Sequence, residues 1–168
     1  MKLPRQLKDM NVFGAGTTFR GQCTTFTRPK LALKTETHRG GGMLGEVKLN
    51  MGLEALEVTH KYGGDIPELN REFGANDIDA SQLRFVGAYQ NDENASLDTV
   101  EIVVRGRHEE IDAGDDEIGS KRGTTYKTAC VYYKQTRNGV VEFEIDMLAG
   151  VFIVNNVDRW AGIRQAVS

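Results

Sequence analysis

Three prolines, two cysteines, three histidines and a single tryptophan are spread over 168 residues, and each scarcity narrows what the chain can be. The cysteines, Cys23 and Cys130, lie far apart, and nothing in their spacing decides between a disulfide and two free thiols. No Cys/His spacing suits a zinc site, and His38, His60 and His108 have no partner histidine at i+3 or i+4. No apolar run approaches the roughly 20 residues that cross a bilayer as a helix. Residues 1–10 carry Lys2, Arg5, Lys8 and Asp9 and lack the apolar stretch of a secretory leader. The chain is therefore expected to be made in a cytoplasm and to stay soluble there, or to leave by a route that reads no signal peptide. Excess positive charge is also missing. The formal charge of -3 argues against a nucleic-acid binder built on clustered Lys and Arg.

What is abundant is glycine, with 19 residues. Many glycines beside few prolines point to tight turns and bulges in a β-rich protein. The hydrophobic fraction of 39% and charged fraction of 27% are those of a folded domain. One domain over residues 1–168 is expected, large enough to bury a core without metals or disulfides.

Along the chain, residues 11–13 and 19–28 flank Gly14-Ala15-Gly16 and suggest a hairpin. Pro29 closes the second strand. Residues 31–44 show no clean periodicity, and Leu31, Leu33, Met43 and Leu44 alternate with charges. Such a long connection is functional or disordered. Residues 47–49 and 53–62 come next, the latter with Leu56, Val58, His60 and Tyr62 on one face. Asp65 and Glu68 have capping-box spacing ahead of a short central helix bearing Ile66, Leu69 and Phe73, which Gly74 stops. Residues 83–89 and 97–107 form an antiparallel pair across a polar turn. Residues 108–123 read as an exposed acidic loop. Asn138-Gly139 joins the strands 124–136 and 140–145, since Asn-Gly between alternating segments is a strong hairpin signal. A short strand at 151–154 precedes a C-terminal helix capped by Asn155 or Asn156. This order gives an α+β fold, mainly antiparallel β, as a sandwich or a barrel.

The chemical motifs are weak. Gly14-Ala15-Gly16-Thr17-Thr18-Phe19 lacks the last glycine of a dinucleotide loop and precedes a strand, so a turn is the better reading. The acidic run Glu109–Glu117 lacks the ordered ligand frame of a calcium loop. Both cysteines sit mid-strand, where a small buried hydrophobe is the default and a nucleophile the exception. No catalytic residue, metal ligand or cofactor is therefore assigned. Strands apolar on one face and charged on the other suit a sheet with one dry side and one wet side.

The run Leu3-Pro4-Arg5-Gln6-Leu7 with Met10-Asn11-Val12-Phe13 resembles the start of major tail tube proteins of contractile phage tails, a group that includes the tubes of R-type pyocins. Arg28-Pro29-Lys30-Leu31, Lys34-Thr35-Glu36, Arg39-Gly40-Gly41-Gly42-Met43 and Gly52-Leu53-Glu54-Ala55 are closely similar to segments of that family. Arg105-Gly106-Arg107, Tyr132-Tyr133-Lys134, Glu144-Ile145-Asp146 and Asn156-Val157-Asp158 continue the likeness along nearly the whole chain. Arg28 departs from it, standing where the family commonly has an apolar residue.

The resemblance implies a structural protein of the virion, assembled in the host cytoplasm, and no enzyme. Six copies would form a ring, and stacked rings a rigid tube inside a contractile sheath, with strands of every copy joined in one barrel around the lumen. Its partners would be further copies, the sheath, tape-measure, baseplate-hub and terminator proteins, and DNA in transit without specific binding. No small-molecule substrate is implied. The 31–44 loop would reach a neighbouring ring, making Lys30, Leu31, Lys34, Glu36, Arg39, Gly40, Gly41, Gly42 and Met43 contact candidates. Glu142, Glu144 and Asp146, and equally Glu101 and Arg105, are candidates for the lumen. A secretion-system tube carrying effectors is the alternative, and the motifs favour the tail.

Overall fold

The fold is organised by one strand that belongs to two places. A computed structural model describes residues 1–168. In chain order, the elements up to the central helix are β1 (Gln6–Phe13), β2 (Cys23–Thr27), β3 (Leu33–His38), β4 (Val47–Leu53), β5 (Leu56–Tyr62) and α1 (Pro67–Glu72). Then come β6 (Ser81–Gln90), β7 (Leu97–Asp112), β8 (Thr124–Arg137), β9 (Val140–Asp146), β10 (Val151–Val154), β11 (Val157–Asp158) and α2 (Ala161–Ala166). Along one edge, β8 pairs with β7. Along the other, its first half pairs with β5 and its second half with β9. The sheet therefore forks. One path runs β1-β6-β7-β8-β9-β10-β11, and a branch leads through β5 to β2. All these pairings are antiparallel, as expected, but the sheet of one chain is open rather than a closed barrel.

The fork is visible in the burial of β8. Thr124, Tyr126, Thr128 and Cys130 point inward, and then Tyr133 and Gln135 do. The inward register shifts by one residue. Val131 is the extra residue, because Gly106 faces Cys130 while Arg105 faces Tyr132.

Sixteen buried hydrophobic residues make one core. Val58, Leu83, Phe85, Ile102, Tyr133 and Ile145 represent its several walls, and each such side chain contributes roughly 1.5–3 kcal/mol on leaving water. The faces expected for β5 and β7 are the buried ones: Leu56, Val58, His60 and Tyr62, and Val100, Ile102 and Val104. Asn138 and Gly139, at φ 50° and 82°, build the β8–β9 hairpin as expected.

Several expectations are corrected. Residues 11–13 and 19–28 do not form a hairpin. The turn closes through Gly14 N–H to Thr17 O, but only Phe13 and Thr18 bridge. Beyond it β1 pairs with β6 and β2 with β5, because Phe19 turns inward edge-to-face on Tyr62. Asp65 does not cap α1. Its carboxylate accepts bonds from Arg122 and the Thr124 hydroxyl, and Ile66 holds the cap position without a side-chain bond. Phe73 is exposed rather than part of the helix's apolar stripe. Residues 108–112 continue β7, which shortens the acidic loop, and His108 is buried. Asn155 and Asn156, both at positive φ, turn β10 into β11 and do not cap α2. Trp160 precedes that helix, and Arg164 anchors it through Gly150 O and Asp158.

Candidate assembly surfaces

Residues 33–53 do not lie along the sheet. β3 and β4 pair only with each other, as a separate two-stranded ribbon, so most of the supposed irregular loop is a β arm. Every residue of β3 is exposed. Ordering costs about 1–2 kcal/mol per residue in backbone entropy, and this arm recovers little of that by burial. An isolated two-stranded ribbon is marginal in water. The structure gathers the contact candidates on it: Lys30 and Leu31 at its entry, Lys34 and Glu36 on β3, and Arg39, Gly40, Gly41, Gly42 and Met43 around its tip. The tip is tied by Met43 N–H to Gly40 O and by Gly40 N–H to the Met43 sulfur. Missing from the candidates were Val47, Leu49 and Met51 on β4, exposed at 44%, 47% and 55%. Their alternation with Lys48 and Asn50 was the available signal.

A second surface is the wet side of the main sheet. Because Val100, Ile102, Val104 and Ile145 point inward, alternation puts Glu101, Arg105, Glu144 and Asp146 together on the opposite face, whereas the bulge between Val141 and Phe143 breaks the alternation at Glu142. Lys134, which faces Glu144 across the strands, joins them. This face is not simply acidic. Arg84 pairs with Glu101 at 3.1 Å. Arg105 lies 4.1 Å over the Tyr132 ring, whose hydroxyl donates to Glu144. Glu142, expected on this face, instead turns to the inward side, where it accepts from Gln135 and Arg137. Arg28, the departure from the family pattern, stacks over Tyr89.

Nucleophilic chemistry finds no support. Burial pushes the Cys23 thiol up to about 11 and the Cys130 thiol up to about 12, so both are protonated at neutral pH. His60 and His108 are joined to neither cysteine but to a buried polar chain. His60 bonds Tyr62 and Thr128, Thr128 bonds His108, and His108 bonds Glu72 on α1. Burial, and then the neighbouring His108, push His60 down to about 3. In the acidic loop, Arg122 bridges Asp65 at 2.6 Å and Asp116 at 2.7 Å. No group of three or more His, Cys, Asp or Glu side chains is arranged to hold a metal ion.

An open sheet with a protruding arm has clear relatives. The family described as phage tail tube protein FII matches residues 4–167. The chain belongs to the phage tail tube protein family. The tail tube protein of Escherichia phage P2 is 38% identical over 162 residues, covering 95% of this chain and 94% of that protein. The major tail tube protein of Serratia phage KSP20 is 36% identical over 154 residues, covering 90% and 88%. Solved structures share the tube fold at low identity. A chain of the sheath-tube complex of PVC, an extracellular contractile injection system, superposes with TM-score 0.59 at 10% identity over 79% of this chain and 91% of that one. The tube-terminating cap of the anti-feeding prophage gives 0.60 at 12% identity, over 81% and 93%. The role of a tail tube protein is structural, as a component of the virion tail.

Proposed function

We propose that six copies of this chain form a ring and that rings stack into the rigid inner tube of a contractile tail, the conduit for genome delivery or membrane puncture. The observation that carries this reading is incompleteness. β1 pairs only with β6, β11 only with β10 and, on the branch, β2 only with β5, so the forked sheet ends in three open edges, and the arm stands away from the core that would stabilise it. Natural sheets cover or pair such edges, and closure around a ring of copies removes them. The arm then reaches the neighbouring ring.

In this reading Glu142 is held by Gln135 and Arg137 on the inward side, Asp146 folds onto the Leu148 and Ala149 N–H groups beside the arm's root, and Glu101, Arg105 and Glu144 line the lumen. Their ion pairs and hydrogen bonds leave few free cations to grip DNA, whose transit requires weak contact. The sheath encloses the tube and a terminator ends it. The tape-measure protein occupies the lumen during assembly, and the tube stands on the baseplate hub. None of these roles needs a catalytic group or a small-molecule substrate. Electron microscopy of the purified protein tests the reading. Hollow rings or tubes are expected, whereas a strict monomer at high concentration counts against it.

A further inference from the structure

The arm carries an apolar stripe that its own chain leaves uncovered, and the root of the same arm borders an apolar groove. Val47, Leu49 and Met51 alternate along β4 and so share one face of the ribbon, beside His38 and Glu36, the residues opposite Val47 and Leu49. The groove has a volume of about 300 Å³ and lies between Leu33 and Leu53 at the arm's root, Met147 and Phe152 beside β9 and β10, and Trp160 and Ile163 at α2. A cavity of roughly 150 Å³ accepts a benzene-sized group, so this one has room for about two aliphatic side chains. None of the three stripe residues lines it.

We infer that this groove is the socket for the arm of a second copy, filled by Leu49 and Met51 of that copy. The inference rests on the tube reading and specifies its contact. Charge at the two surfaces agrees. Glu36 and Lys34 flank the stripe, and neither has an ion-pair partner in its own chain. Arg159 and Asp146 line the groove; Arg159 has no carboxylate partner, and Asp146 accepts only the Leu148 and Ala149 backbone N–H groups. Each end of the contact thus offers one acid and one base to the other. Stripe and groove are different patches of one chain, so the contact is head-to-tail, and each copy gives one arm and receives one. That repeat suits stacking. A symmetric pair would leave nothing for a third copy.

The test uses exposed positions, so folding is preserved. Leu49 is 47% and Ile163 50% exposed. Leu49→Glu and Ile163→Glu are each expected to keep the wild-type far-UV spectrum and to abolish stacked tubes in electron micrographs. In a second experiment, a chain carrying both Leu49→Cys and Ile163→Cys is assembled and oxidised. A ladder of cross-linked chains on a non-reducing gel is expected, absent from the wild type, which keeps Cys23 and Cys130, and from variants carrying only one of the two introduced cysteines. Tubes that form from both glutamate variants, or cysteine-bearing tubes without a ladder, overturn the groove assignment and leave the tube reading standing. A wild-type chain that stays monomeric at high concentration overturns both.

Discussion

Gly106 of β7 packs its Cα against the backbone of Ala129 in β8 so closely that a Cβ there would lie 1.9 Å from the Ala129 carbonyl oxygen. The contact falls where the sheet forks and Val131 is inserted. The obstructing atom is backbone held in a ladder, so it has nowhere to go. Gly106→Ala is expected to cost about 3 kcal/mol, the upper part of the range for forced overpacking. Urea unfolding monitored by circular dichroism measures it. Gly41→Ala, where a Cβ meets nothing within 4 Å, is the control and should leave stability nearly unchanged.

His60 makes stability depend on acid. Its folded value, about 3, lies below the ordinary 6.5, so the folded state favours the neutral ring. The unfolded chain binds that proton more readily. This contribution is fully present above about pH 6.5 and is lost as pH falls from there toward 3, by at most about 1.4 kcal/mol per pH unit for one proton. Denaturation at pH 7, 6, 5 and 4 should show the decline. His60→Gln should flatten it, because the amide still bonds and does not titrate.

Asp98 ties three separate segments at one end of the sheet. It accepts from Asn138 at 2.9 Å and from Arg137 at 3.4 Å, and forms an ion pair with Arg5, whose Nε lies 2.9 Å away. The Asn138 amide first, and then the two guanidinium groups, hold its carboxyl below the ordinary 3.8. A depressed carboxylate stabilises the fold above its ordinary value and ceases to as pH falls through the folded value. Asp98→Ala is expected to loosen the N-terminal strand before the rest. Faster amide hydrogen exchange at residues 6–9, with β5 protection unchanged, is the expected result.

Deleting Gly40–Gly42 shortens the arm's tip without touching the buried core. The protein should remain folded and lose the ability to stack. Circular dichroism checks the first outcome and electron microscopy the second; long tubes from the deletion variant would refute the arm's role.

Legibility followed the contrast between dry and wet faces. β5, β7 and β8 were readable because Val58, Ile102 and Tyr126 alternate with polar neighbours, and Asn138-Gly139 fixed the β8–β9 hairpin. β3 was not. Leu33, Lys34, Thr35 and Glu36 all face solvent within one chain, so no buried side imposed a period. β1 and β2 were misjoined because glycines announce a turn but not which strands pair beyond it. Asn155 and Asn156 suit a helix cap and a tight turn equally, and only the pairing of Val154 with Val157 separates them. The inserted Val131 leaves no local mark at all. As for the assembly surfaces, the contact candidates on β3 and the tip came from resemblance, while the apolar stripe on β4 was legible as alternation but not as an uncovered face, since that depends on β4 pairing with β3 alone.

The forked strand has a mechanical meaning. Thr124–Arg137 supplies one edge to β5 and β9 and the whole of the other to β7. No seam therefore passes between the two halves of the sheet through loops alone. Sliding them apart would shear many backbone hydrogen bonds at once or break the strand itself. Under an axial push such a subunit yields last in its middle, and any bending of a column of copies is confined to the joints between them.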